Sequence, residues 1–167
     1  MRRPPLALAA ALPVFAAFAS SEAGAQEHSI IRNPGDHPRY VFEAEPHLIA
    51  GFAEPFDSNG SVGLGFRGSF HIADGFVKSI NDSVGVGVGF DFGGHGRVLV
   101  PVVLQWNFWL SRHWSVFGEP GIAFGSGSRD GVVPAIFLGG RFNFNERIAM
   151  TLRVGYPDVA VGVSFFL

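Results

Sequence analysis

Residues 83–92 read SVGVGVGFDF, with glycine at every second position and an apolar residue in between. A glycine-rich loop that cradles a phosphate gathers its glycines in a turn between a strand and a helix. A β-strand instead sends successive side chains to opposite faces. Here Val84, Val86, Val88, Phe90 and Phe92 share one parity, and Gly85, Gly87, Gly89 and Asp91 the other. Glycine in this stretch therefore marks the face of a strand.

The same period of two runs through most of the chain. In SVGLGFRGSFHI (61–72), Val62, Leu64, Phe66, Phe70 and Ile72 alternate with Gly63, Gly65, Arg67, Ser69 and His71. RVLVPVVLQWNFWL (97–110), RIAMTLRVGY (147–156) and DVAVGVSFFL (158–167) alternate in the same way, and HWSVFGEPGIAF (113–124) and VVPAIFLGGRFNF (132–144) less tidily. With YVFEAEPHLIAGF (40–52) as the first, eight strands are expected. DSNG (57–60), GGHG (93–96), GSGSRDG (125–131), Asn145-Glu146 and Pro157-Asp158 supply turn chemistry between them. Only ADGFVKSIND (73–82) is long for a hairpin connection; it either caps the barrel mouth or signals the opposite membrane orientation. The expected fold is an all-β, eight-stranded antiparallel up-and-down barrel.

The N-terminal residues fit export. Arg2 and Arg3 precede an apolar run from Leu6 to Ala19 and a small-residue end at Ala23-Gly24-Ala25, the pattern of a signal peptide over 1–25. The run is short for a membrane anchor. Residues 26–39 have no clear period and are expected as an irregular arm, with the barrel spanning 40–167. No cysteine is present, so neither disulfides nor a lipoprotein anchor is available. After Gln26 the longest apolar run, VLVPVVL, is far shorter than a spanning helix and holds a proline. A net charge of −2 with Lys78 as the single lysine gives no footing for nucleic acid.

Two closed barrels fit eight alternating strands. A soluble, lipocalin-like binder turns its apolar face into a ligand cavity; a membrane barrel turns it to lipid and fills the lumen with small and polar residues. A soluble surface carries about 25–35% charged residues, whereas the polar face here is largely glycine. Glycine inside a narrow barrel leaves room for larger neighbours. The membrane form is therefore expected, with Glu43, Glu45, His47, Arg67, His71, Asp91, Glu119, Arg141 and Arg153 forming a lumenal ion-pair network. Outward aromatic residues fall into two girdles. Phe70, Trp106, Phe108, Trp114, Phe142, Phe144 and Phe165 lie near the end where strand 1 begins, and Phe52, Phe90, Phe92, Phe124 and Tyr156 near the other.

The N-terminal segment, the eight alternating strands and the ending VGVSFFL resemble the small outer-membrane barrels of Gram-negative bacteria, the OmpA/OmpX-like and opacity-protein-like group. The resemblance covers residues 40–167 and implies an outer-membrane location, contact with outer-membrane lipid and delivery by the barrel-assembly machinery. Chains of that group typically end in phenylalanine; here Leu167 follows Phe165 and Phe166. No periplasmic peptidoglycan-binding domain is expected after the barrel.

Sharper chemistry has weaker support. Gly63 to Gly68 matches GxGxxG, but the same strand continues after it where a dinucleotide site needs a helix. Glu43, Glu45, His47 and His71 could ligate a metal, yet alternate spacing is what any lumenal face produces. Ser69 and His71 with a lumenal glutamate resemble the residues of a lipid A deacylase, whose chemistry belongs at the lipid surface, and these point inward. No cofactor is expected. The leading expectation is a monomeric, non-catalytic barrel in envelope structure or surface contact; a narrow pore, a lipid-modifying enzyme and the soluble binder are the alternatives.

Overall fold

The structure, a computed structural model, describes residues 28–50, 62–93, 97–126 and 131–167. The expected signal peptide, the girdle residue Phe52 and most of three turns (57–60, 94–96 and 127–130) lie outside the described residues. Eight strands follow in order: β1 (Phe42–Ala50), β2 (Val62–Asp74), β3 (Asp82–Gly93), β4 (Arg97–Trp109), β5 (Trp114–Ser126), β6 (Gly131–Asn143), β7 (Ile148–Tyr156) and β8 (Val159–Phe166). Each pairs antiparallel with the next, and β1 pairs with β8 to close an up-and-down barrel. Closure leaves no sheet edge among the strands.

Alternation gives the barrel two unlike surfaces. Leu48, Leu64, Phe66, Phe90, Ile122 and Leu138 are exposed on its outside. Glu43, Glu45, Arg67, Asp91, Glu119, Arg141 and Arg153 are buried within it. The less tidy windows have a physical cause. In β5 and β6 the outward row includes Gly118, Pro120, Pro134 and Gly140, while inward Phe117 and Phe137 are buried and apolar, so both faces mix residue types.

Register explains the glycines. Gly65 stands opposite His47 on β1 and Asp91 on β3, Gly89 opposite Arg67, and Gly139 opposite Phe117 and Arg153. A Cβ added at Gly89 would fall 2.6 Å from Arg67 Nε, and one at Gly162 would fall 2.8 Å from His47 Cβ. Small residues face large ones across the ladder, and in this way a narrow barrel fills its interior.

Residues 28–41 are irregular but firmly placed across the mouth where β1 begins. Ile30 N donates to Leu110 O at 3.0 Å, and Asn81 N to Ile31 O at 2.7 Å. Asn81 also donates through Nδ2 to Asp36 O at 2.9 Å and accepts from Gly35 N through Oδ1 at 3.2 Å. The long turn after β2 thus has a use: it ends in Asn81, the buried side chain that holds the arm.

Candidate functional site

The lumen is stacked in three layers. At the arm end, Ile30, Tyr40, Trp109, Ala149 and Phe166 form a buried apolar cluster. At the other end a second cluster contains Ile49, Leu99, Val103, Ala123, Ala135, Phe137 and Ala160. The charged side chains lie between them.

Arg153 is at the centre of that middle layer. Its Nη1 and Nη2 donate to the two oxygens of Glu45 at 2.7 and 3.0 Å. Its Nε and Nη2 reach the oxygens of Glu119 at 2.8 and 3.2 Å. Glu119 also accepts from Arg67 Nη1 at 3.0 Å and from Gln105 Nε2 at 3.1 Å. Arg67 then approaches Asp91 at 3.8 Å, and the second oxygen of Asp91 lies 2.9 Å from His47 Nε2. Nearer the arm, Arg141 Nη2 lies 2.9 Å from Glu43 Oε2, and its Nη1 donates to Asn107. Phe117 lies beneath two of these cations, 4.3 Å from Arg141 Cζ and 5.4 Å from Arg153 Cζ.

These pairs meet a strict requirement. An ionised group removed from water is tolerated only when its partners replace that water. The three buried arginines use their several fixed donors to bind carboxylates from other strands, and guanidinium geometry suits that task. Glu45 on β1, Glu119 on β5 and Arg153 on β7 tie together elements from different sides of the barrel.

Most of the residues expected in the network come together, but His71 does not. It stands at the rim beside a register shift between His71 and Ala73, with Nε2 3.0 Å from Asp74 Oδ1. His37 of the arm approaches the same oxygen at 3.1 Å and stacks on Trp109, centroids 5.2 Å apart. His71 keeps the lumenal register opposite Gly85, but it is the last position before the shift, at the arm end, where it joins the contact that docks the arm. His71 is thereby separated from Glu43, Glu45 and His47, whose partners are Arg141, Arg153 and Asp91. Among the described residues, no cluster of three or more His, Asp or Glu side chains is arranged to hold a metal. Ser69 Oγ is buried without a hydrogen-bond partner among the described residues, so no base stands against it.

The outward aromatic residues are distributed in two zones. Phe70, Trp106, Phe108, Trp114, Phe142, Phe144 and Phe165 surround the arm end, several in ring contact, as in Trp106–Phe108 at 5.0 Å and Trp114–Phe142 at 5.0 Å. Phe90, Phe92, Phe124 and Tyr156 lie toward the far end. Residue types at strand positions suggested this much. They did not reveal the apolar layers, because Leu99, Val103 and Trp109 lie in β4 where both parities are apolar.

One more buried group sits at the far mouth. Asp158, in the turn between β7 and β8, is buried, and its Oδ2 has no hydrogen-bond partner among the described residues. Burial pushes its carboxyl up to about 6, with the Asp91 carboxylate adding to the shift.

Solved structures share this architecture. A chain described as "De novo design of transmembrane beta-barrels" superposes with a TM-score of 0.61 at 10% identity, covering 78% of this chain and 99% of that one. A second designed barrel, solved by solution NMR, superposes with a TM-score of 0.54 at 9% identity, covering 80% and 98%. No protein-family model and no curated protein matches the sequence. At such identities the likeness is one of fold: a closed eight-stranded antiparallel barrel of the transmembrane kind.

Proposed function

We propose that this protein is a non-catalytic, monomeric barrel of the Gram-negative outer membrane, serving envelope structure or surface contact, with a lumen that is a core and not a channel. The observation that carries this reading is the inverted partition of the side chains. Leu138 is 70% and Leu64 63% exposed on the outside, while Arg67, Arg141 and Arg153 are at most 2% exposed within. A soluble monomer rarely exposes contiguous apolar patches beyond a few hundred Å², and in hydrocarbon a closed sheet satisfies every backbone group. Designed transmembrane barrels of the same architecture add support. Outer-membrane lipid and, during biogenesis, the barrel-assembly machinery are the partners this reading implies, and the arm end faces the periplasm.

The filled middle layer and its two apolar lids support a closed lumen over a pore. The test begins with gel mobility of isolated outer membranes, unheated and boiled. A compact form that slows on boiling is expected, and a soluble periplasmic protein without a shift would overturn the reading. Planar bilayers containing the protein should show no conductance steps, and a deletion strain should keep its lipid A and phospholipid composition.

A further inference from the structure

Among the described side chains, every exposed lysine and arginine lies at the arm end of the barrel. Arg32 and Arg39 belong to the arm, Lys78 to the turn after β2, Arg112 to the turn after β4 and Arg147 to the turn before β7. The remaining described arginine side chains are buried in the lumen. None of the five exposed cations forms an ion pair within the described residues. Of the carboxylates at this end, Asp74 is held between His37 and His71, and Asp82 is buried and accepts from Trp106 Nε1 at 2.8 Å. Asp36 and Glu146 remain exposed, so the rim is positive on balance.

The cations also border the aromatic zone. Phe76 of the Lys78 turn packs edge-on to Trp106 at 5.7 Å, and Phe144, near Arg147, packs on Phe142 at 5.4 Å. His113, next to Arg112, stacks on the same Phe142 ring at 6.0 Å. Arg39 and Arg147 line one surface cleft together with His37, Pro38, Glu146 and Leu167. Tryptophan and phenylalanine at this level mark a hydrocarbon boundary. Long basic side chains can lay their stems along it and keep their charge at the depth of the head groups, where guanidinium and phosphate oxygens fit one another.

We infer that this ring of Arg32, Arg39, Lys78, Arg112 and Arg147 is a binding surface for anionic phospholipid head groups, with the cleft between Arg39 and Arg147 as its best-formed seat. The inference rests on the membrane-barrel reading and adds to it a preferred lipid and one face. Such a ring gathers phosphodiester head groups of the leaflet at the arm end.

Tryptophan quenching tests it, since Trp106 and Trp114 stand in the adjoining aromatic zone. The protein is refolded into mixed phosphatidylcholine and phosphatidylglycerol vesicles, with bromine on the acyl chains of one lipid or the other at equal mole fraction. Brominated phosphatidylglycerol is expected to quench more strongly. That excess should shrink in an Arg39→Gln/Arg147→Gln variant, vanish when all five residues are Gln, and persist in Arg39→Lys/Arg147→Lys, with heat-modifiable mobility retained throughout. Equal quenching by the two lipids in the unaltered protein would overturn the inference alone. No quenching by either, with no gel shift, would overturn the membrane reading and the inference with it.

Discussion

Arg153 binds Glu45 through two near-parallel hydrogen bonds of 2.7 and 3.0 Å and keeps Nε free to hold Glu119 at 2.8 Å. One guanidinium from β7 thereby neutralises carboxylates from β1 and β5. Replacing it with leucine strands both in the lumen, and removing one partner of a buried ion pair costs about 3–5 kcal/mol. Urea unfolding of the lipid-reconstituted barrel, followed by gel mobility, should show Arg153→Leu destabilised on that scale. Glu45→Gln added to Arg153→Leu should cost less than the two changes summed, because their effects share one contact.

Gly139 faces Phe117 so closely that a Cβ there would overlap the ring. Phe117 in turn supports Arg141 and Arg153 and cannot swing away freely. Gly139→Ala is expected to destabilise by about 1–3 kcal/mol through overpacking. The same substitution in a Phe117→Leu background should cost clearly less. A full, undiminished cost in that background would show that the ring is not what excludes the methyl group.

Asp158 predicts a pH dependence. Its carboxyl is raised from 3.8 to about 6 in the folded barrel, so the folded state holds an extra proton between those values. Its contribution is fully favourable below the unfolded value and is lost as pH rises through about 6, worth about 3 kcal/mol at most. Asp158→Asn should therefore stabilise the barrel above pH 6 and leave it little changed near pH 3.8. The difference between the two unfolding curves, measured against pH, checks both the sign and the window.

Asn81 fastens the arm from both sides, donating to Asp36 O and accepting from Gly35 N. Asn81→Ala removes both of those bonds, at about 1–3 kcal/mol in sum. An arginine-specific protease should then cut faster at Arg32 and Arg39 while the barrel keeps its heat-modifiable mobility. Equal cutting rates would mean that the arm is held mainly by Ile30 and by the stacking of His37 on Trp109.

Much of the barrel was legible in the sequence because alternation carries the information. In β2 and β3 one parity is apolar and the other glycine or charged, so the strands, their number and the inward charges could be read directly. Alternation says nothing where both parities are apolar, which is why inward Leu99, Val103 and Trp109 in β4 were hidden behind their outward neighbours. Nor does it say which partners a residue of the inward parity meets: His71 shares the parity of Arg67 but lies at the arm end, where Asp74 and His37 hold it away from the network. The arm has no period at all. Its placement depends on single contacts with Asn81, Asp74 and Trp109, which are distant in sequence and leave no local pattern.

The seam between β1 and β8 also constrains how the molecule can be made. Phe166 meets Glu43 and Gly162 meets His47, and Ser164 reaches Glu45 across a separation of 119 positions. A contact of such range closes late, since its loop entropy must be met before it gives any return. Until it closes, the nascent sheet has two open margins of unpaired amides and carbonyls, each able to recruit another chain. Glu45 and Glu119 meanwhile still await the full complement of arginine contacts that neutralises them. Assembly of this protein is thus a race between ring closure and aggregation, and anything that holds the margins apart from other chains favours the native outcome.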